Sequence, residues 1–185
     1  MMLDFSDELR LPSGDGPPLR IDIRGDIDRK LLALVAAGLE DHPDAALLDI
    51  QIDSPGGHFG AAYDLYVVLR RHRAARKTAR IRRAESGALL VAMAADERIA
   101  DVGAPFLLHA AAQSPDGRWT AAQHLEAAAD LEWIDSNMAA MFAYRTGCPI
   151  GVFVAAMADE EHAPLDWCLR HGIITKIKEL QCRKN

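Results

Sequence analysis

Residues 45–60, AALLDIQIDSPGGHFG, decide the fold. An apolar run, AALLDIQI, leads into two consecutive glycines, Gly56 and Gly57, and the helical pattern GAAYDLYVVLRRHR begins just beyond them. A strand that passes directly into a helix is typical of α/β proteins with crossover connections. Glycines at such a junction let the backbone adopt torsions closed to other residues, and they let another group approach the peptide N–H.

The same cycle recurs on both sides of this stretch. LRIDIRGDID alternates like a half-buried strand, and RKLLALVAAGLEDHP has helical spacing. Downstream, KTARIRR predicts a strand, SGALLVAMAA a helix and APFLLHA a strand. The remainder predicts a linker, AAQSPDGRW, a long helix from about Thr120 to Tyr144, and a final helix and strand in PLDWCLRHGIITKI. We therefore predict an α/β fold with a mainly parallel sheet.

Composition limits the organisation of the chain and its partners. With 185 residues, 50% of them hydrophobic, the chain is the right size for one domain with a buried core. Residues 1–18 are polar and rich in Gly and Pro, which predicts a flexible arm before a single domain at residues 19–185. A net charge of −6 argues against nucleic acid as a partner.

Cysteine usage and hydropathy indicate a compartment. Cys148, Cys168 and Cys182 are scattered without CxxC spacing, so neither a zinc site nor a disulfide framework is indicated, and a reducing cytoplasm fits best. Because no apolar run approaches the roughly 20 residues that cross a bilayer, we expect a soluble protein without a membrane partner. The sequence predicts no metal and no cofactor.

Three strand ends carry residues suited to catalysis. Gly57 can present an N–H to a developing negative charge, Ser86 stands at the head of an apolar helix, and His109 ends an apolar strand. Each also has a structural interpretation: a tight turn, a helix N-cap and a packed histidine. A serine nucleophile needs a base and N–H donors together, and the carboxyl ends of parallel strands meet at one sheet edge.

Four segments carry a family resemblance. IDSPGGHFGAAYDLYVVLR, AESGALLVAMAADERIADVGAPFLLHA, YRTG and PLDWCLRHGIIT resemble, in order and spacing, the ClpP-type serine peptidases. LRIDIRGDID and MAADERIA are more similar to phage-related and head-maturation members than to the housekeeping subunit. The resemblance implies a ClpP/crotonase-like ββα superhelix with a protruding handle helix.

The resemblance also implies residue roles. Ser86 matches the nucleophile, His109 the general base, and the N–H groups of Gly57 and Gly87 the oxyanion hole. Counting back from the PLDWCLRHGII segment places Glu160 at the triad acid, with the adjacent Asp159 as the second choice. The alternative for this DEEH segment is a solvated charged turn.

The handle corresponds to about residues 111–146, and the resemblance implies that it lies against a neighbouring copy in a homo-oligomeric ring. Its apolar residues have the spacing of a helix with a broad buried face, although packing within its own domain would give the same pattern. These residues are Leu125, Ala128, Leu131, Ile134, Met138 and Met141.

Two departures from the family bear on activity. Glu85 directly precedes the nucleophile; pointing into the site it would favour protonated His109, and pointing away it would pair with an arginine such as Arg83. The family's segment ahead of the first strand, which contributes to docking of an ATP-dependent unfoldase, is replaced by the polar arm. The sequence therefore leaves two alternatives, a peptidase with an ATP-dependent unfoldase as partner and one without it.

Three functions follow from these features. The first is a serine endopeptidase that cleaves peptides or unfolded proteins through an acyl-enzyme inside a ring. The second is a catalytically weak or inactive ring subunit, because of Glu85 and the altered acid position. The third is a crotonase-type acyl-CoA enzyme, which also binds an oxyanion with paired backbone N–H groups; the Ser-His pair and the short chain argue against it.

Overall fold

The computed structural model describes residues 15–160 and 162–178, in which strands alternate with helices. The strands are β1 (Leu19–Ile27), β2 (Leu47–Gly57), β3 (Arg76–Glu85), β4 (Glu97–Ala100), β5 (Phe106–Leu107) and β6 (Lys176–Ile177). The helices are α1 (Arg29–Asp41), α2 (Phe59–Arg71), α3 (Gly87–Ala92), α4 (Ala121–Thr146), α5 (Ile150–Asp159) and α6 (Leu165–Arg170). The predicted α/β class is confirmed.

The strands form one sheet in the order β1-β2-β3-β4-β6, and all the strand pairs are parallel. Strand β5 lies outside this path. It pairs with the last two residues of β3, whereas β4 pairs with the same edge of β3 further back, at Thr78–Ile81. The carboxyl ends of β2, β3 and β5 therefore lie side by side.

One face of the sheet is the core and the other carries charge. Leu48, Ile50 and Ile52 of β2 are fully buried and pack with apolar residues of α1, α2 and α3. The alternate residues point to the opposite face, since successive side chains of a strand alternate. There Arg80 of β3 donates to Asp49 of β2 at 2.9 Å. Arg24 likewise pairs with Asp22 within β1, and Arg82 of β3 with Asp53 of β2.

Helix α4 has well-defined ends and two different halves. Thr120 and Gln123 form a capping box at its start, and Gly147, with φ of 74°, ends it. Met138 and Met141, in the second half, are buried as predicted, but Leu125 is 74% exposed and Ala128 is exposed too. The first half thus projects from the domain, and of the two interpretations of its helical pattern, packing within its own domain does not apply to this half.

Several boundaries differ from the sequence prediction. Strand β4 and helix α5 were not predicted, and strand β5 ends before His109. The predicted linker at residues 111–119 forms neither helix nor strand, so the helix of the handle, expected over about residues 111–146, begins only at Ala121. At the start, Gly16 already pairs with the segment before β2, because its N–H donates to Asp44 O at 2.6 Å and its carbonyl accepts from Ala46 N. The rest of the predicted arm, residues 1–14, lies outside the described residues.

Candidate active site

The β2–α2 and β3–α3 junctions touch at Gly56. A Cβ added to Gly56 would lie 2.7 Å from the Cβ of Ser86 and 2.9 Å from the nitrogen of Gly87, so neither backbone could keep its place. Gly56 also has φ of 96°, which side chains disfavour. The first glycine of the pair is therefore required for close packing against the predicted nucleophile.

Ser86 has an unusual backbone conformation. Its φ of 52° and ψ of −127° lie in a region that residues other than glycine rarely occupy. Its N–H donates to Leu107 O of β5 at 2.9 Å, and its carbonyl accepts from Leu89 N. Although Ser86 is the N-cap residue of α3, its hydroxyl makes no capping hydrogen bond. The helix-capping interpretation of this serine is therefore wrong, and its Oγ is not engaged by the helix.

The two predicted oxyanion residues lie close together. A Cβ on Gly87 would lie 3.7 Å from the nitrogen of Gly57. Gly87 is the first residue of α3, where N–H groups have no partner inside the helix and the helix dipole favours negative charge. Two N–H groups beside a serine at a helix N-terminus are suited to binding an oxyanion.

Ser54 shapes this turn and was not singled out from the sequence. It is fully buried, its Oγ donates to Gly25 O at 2.6 Å, and the same oxygen accepts from Gly56 N at 3.1 Å. These bonds join the end of β1 to the last residues of β2. A serine two residues before a glycine in a turn is the sequence signal that points to this role.

His109 lies two residues beyond β5 and is half-buried. The following segment is held by α4, because Ala111 N donates to the carboxylate of Asp135 at 2.6 Å. Among the described residues, no hydrogen bond links the side chains of Ser86 and His109. The bond from Ser86 N to Leu107 O nevertheless places the two segments side by side.

The predicted acids follow α5. Glu160 is the C-cap residue of this helix, with φ of 51°, and its side chain is exposed. Asp159 lines a cleft together with Leu108, His162 and Trp167. Beyond Glu160 the chain joins the sheet, since His162 bridges to Leu107 and Ala163 N donates to Phe106 O at 2.8 Å. Within the described residues, neither acid hydrogen-bonds to His109.

Glu85 pairs with Arg83 and His162 rather than with the predicted base. Its carboxylate accepts from Arg83 Nε at 2.9 Å and lies 3.4 Å from Nε2 of His162. Burial raises the pKa of Glu85, but the hydrogen bond and charge of Arg83, with His162, outweigh burial and lower that pKa below its ordinary value. Of the two orientations left open by the sequence, pairing with Arg83 is confirmed.

The described residues contain no group of three or more His, Cys, Asp and Glu side chains placed to hold a metal ion. A membrane-spanning helix is not found in this part of the chain either, because no helix is both long and apolar enough.

Comparisons with known proteins agree with this architecture. The Clp protease family model matches residues 19–181. Among solved structures, the chain is similar to a mutant of ClpP1 from Listeria monocytogenes, with a TM-score of 0.75 and 17% identity over 88% of this chain and 92% of that chain. No curated protein sequence matches the chain significantly. At this identity the structural likeness concerns the fold, whereas the family model extends over most of the sequence.

Proposed function

This chain belongs to the Clp protease family, and from that membership we propose that it cleaves peptide bonds through an acyl-enzyme formed on Ser86. It is a ClpP-like serine peptidase, a hydrolase. The observation that carries the proposal is the geometry of Ser86: a positive φ, a hydroxyl not used for capping, and Gly56 packed against it.

The reaction assigns one task to each residue. Ser86 Oγ attacks the peptide carbonyl while His109 takes the hydroxyl proton, and the N–H groups of Gly57 and Gly87 bind the resulting oxyanion. His109 then gives the proton to the leaving amine, and an acyl-serine remains. Water, deprotonated by His109, attacks this ester and releases the acid and free Ser86. Glu160 orients the imidazole and stabilises its protonated form.

A fluorophosphonate probe tests the nucleophile without a known substrate. Intact-mass analysis should find one adduct on the native chain, and digestion should place it on Ser86. The Ser86→Ala variant should give none, whereas Ser136→Ala, which removes an exposed serine of α4, should label as the native chain does. An adduct that persists in Ser86→Ala would refute the assignment.

The two candidate acids are separated by matched amide variants. We expect Glu160→Gln to slow adduct formation and Asp159→Asn to leave it unchanged. Loss of the proper imidazole orientation in serine peptidases costs up to roughly 10⁴-fold in turnover, so the effect should be large. The reverse pattern would move the role to Asp159, which lines the cleft beside Leu108.

We further propose that copies of the chain assemble into a ring through α4 and that peptides or unfolded polypeptides reach the sites inside it. The exposed first half of α4 supports this, because an apolar residue such as Leu125 finds no cover in its own domain. Seclusion of the sites would then restrict cleavage to chains able to enter.

A second candidate function is a ring subunit without peptidase activity. The observation that favours it is that no hydrogen bond links Ser86, His109 and Glu160 among the described residues. Such bonds are often long in unliganded active sites and tighten only when substrate binds. A stable ring that gives no fluorophosphonate adduct would favour this second function. The crotonase-type alternative gains no support, since the matching family model is that of Clp proteases.

A further inference from the structure

Three neighbouring segments at the sheet edge carry the proposed triad. The end of β3, directly before Ser86, pairs with β5 through Glu85 and Leu107. Leu107 in turn bridges to His162 on its other side, and Ala163 N donates to Phe106 O at 2.8 Å. The segment at residues 162–163 therefore extends the sheet beyond β5, and it begins two residues after Glu160.

Glu85 reaches across the middle segment. Because Glu85, Leu107 and His162 are in register, their side chains share one face of the sheet. Glu85 Oε1 lies 3.4 Å from His162 Nε2, above Leu107, while Oε2 accepts from Nε and Nη2 of Arg83. This side-chain contact connects the first segment to the third without passing through the second.

The Glu85 contact is specific because the carboxylate is largely withdrawn from water. Its side chain is 11% exposed, whereas those of Arg83 and His162 are 42% and 63% exposed. A carboxylate so enclosed must be paired, since an unpaired buried charge is strongly unfavourable. The carboxylate of Glu85 therefore requires both partners, and its contacts keep Arg83 and His162 in defined positions.

We propose that Glu85 is a positioning residue: by binding His162, it fixes the turn that carries Glu160 relative to the strand that precedes His109. This inference rests on the proposed function. Glu160 lies two residues before the fixed segment, and His109 lies two residues after the strand to which that segment is bonded. Loosening residues 162–163 would let these two side chains move relative to each other.

The test is a double-mutant cycle on adduct formation at Ser86. Glu85→Ala and His162→Phe should each slow fluorophosphonate labelling by about 3- to 10-fold, and the double variant should be no slower than the slower single variant. Glu85→Gln should retain most of the rate, because its amide can still accept from Arg83 and donate to a neutral His162. In parallel, the backbone amide of Ala163 should exchange with deuterium faster in Glu85→Ala.

Asp49→Asn is the matched control, since it weakens the Arg80–Asp49 pair on the same sheet face without touching the 162–163 segment. It should label and exchange as the native chain does. Two results would overturn this inference alone, provided that the native chain is labelled. The first is a labelling rate of Glu85→Ala equal to that of the native chain, and the second is a double variant whose loss of rate is the full product of the two single losses. A native chain that gives no adduct would instead overturn the proposed function and, with it, this role of Glu85.

Discussion

At the scale of single residues, the site depends on backbone positions more than on side-chain contacts. Gly56 allows the β2–α2 turn to touch the backbone of Ser86, and Ser86 itself adopts a conformation that costs roughly 1–3 kcal/mol when held by a residue other than glycine. Strain of this kind persists only where surrounding contacts impose it. Here Leu107 and Gly56 provide those contacts.

Gly56→Ala should disrupt the site directly. The new Cβ would meet the Glu85 carbonyl and Ser86 Cβ at 2.7 Å in a backbone with φ of 96°. We expect the free energy of unfolding, measured in urea, to fall by about 3 kcal/mol, and the fluorophosphonate labelling rate to fall more than about 10-fold. Gly103→Ala is the control, because Gly103 also has positive φ but a Cβ there meets nothing within 4 Å. This control should lower the free energy of unfolding by only about 1 kcal/mol and should be labelled at the native rate. Equal effects of the two variants would contradict this account.

Glu85 should make stability depend on acid pH. A carboxylate whose pKa is lowered by folding contributes stability that is present above its ordinary pKa and lost as the pH falls through the lowered value. For Glu85 the ordinary value is 4.5. The native chain should therefore be more stable than Glu85→Gln at about pH 7, and the gap should close as the pH falls below 4.5. Urea denaturation over a pH series measures this gap. A gap that stays constant into strong acid would mean that Glu85 is not selectively stabilised as a carboxylate.

The sequence was enough to predict the place of a residue where the order of strands and helices along the chain determines it. The junction of Gly56 and Gly57 with a helix was recognisable, because strand-to-helix order alone brings these glycines to the sheet edge. Pairing of Glu85 with the nearby Arg83 was one of the two orientations considered, but its contact with His162 was not foreseen, because His162 is 77 residues away in the chain. Local patterns cannot show which distant segment will supply a partner.

At the scale of elements, strand β4 shows how tertiary contacts override a weak local pattern. Its sequence, ERIA, is four residues long and contains Arg98, which is only 5% exposed. Arg98 donates to three backbone carbonyls, those of Ala95, Gly172 and Ile173, at distances of 2.6–3.0 Å. Burial lowers the pKa of Arg98 to about 10, so the guanidinium remains charged at neutral pH. Strand β4 thus lies between β3, with which all four of its residues pair, and the C-terminal segment, which its arginine and its last two residues bind.

Arg98→Met should therefore destabilise the protein without altering the site. The variant loses three hydrogen bonds and deprives the carbonyls of Gly172 and Ile173 of their side-chain donor, which we expect to lower the free energy of unfolding by about 2–4 kcal/mol. Arg76→Met, at an exposed position of β3, should change it by less than about 0.5 kcal/mol. Both variants should label at Ser86 while folded. Urea denaturation gives the comparison, and an Arg98→Met variant as stable as Arg76→Met would refute this role.

Helix α5 was missed for a related reason. Its sequence, IGVFVAAMAD, is apolar almost throughout, so it has no clear helical period, and β-branched residues and a glycine weaken its local preference. In the structure its buried residues Phe153 and Met157 lie four apart on one face, whereas Val154 is exposed. Which side of α5 is buried depends on its contacts with α4 and α6, and the sequence of α5 alone does not show these contacts.

At the scale of the whole molecule, sequence periodicity was enough for the long elements and for the parallel sheet. Strands β1 to β3 and helices α1, α2 and α4 have regular patterns, and the crossover rule then leaves few arrangements. The outward-facing half of α4 was the exception, because a helix that packs against another copy has the same pattern as one that packs against its own domain. Exposure shows that the first half is not covered by its own domain, and exposure requires a structure.

Leu125→Glu should separate assembly from folding. Leu125 is 74% exposed and Leu34, on α1, is 72% exposed, so the two leucines are matched in type and exposure. If copies meet through the first half of α4, a charge at residue 125 must be desolvated at each contact, and sedimentation should show the native chain as a ring and this variant as smaller species. Leu34→Glu should sediment as the native chain does, and both variants should unfold in urea within about 0.5 kcal/mol of the native chain, since neither leucine is buried in its own domain. A Leu125→Glu variant that still assembles, or a Leu34→Glu variant that dissociates equally, would mean that the ring is not held together through α4.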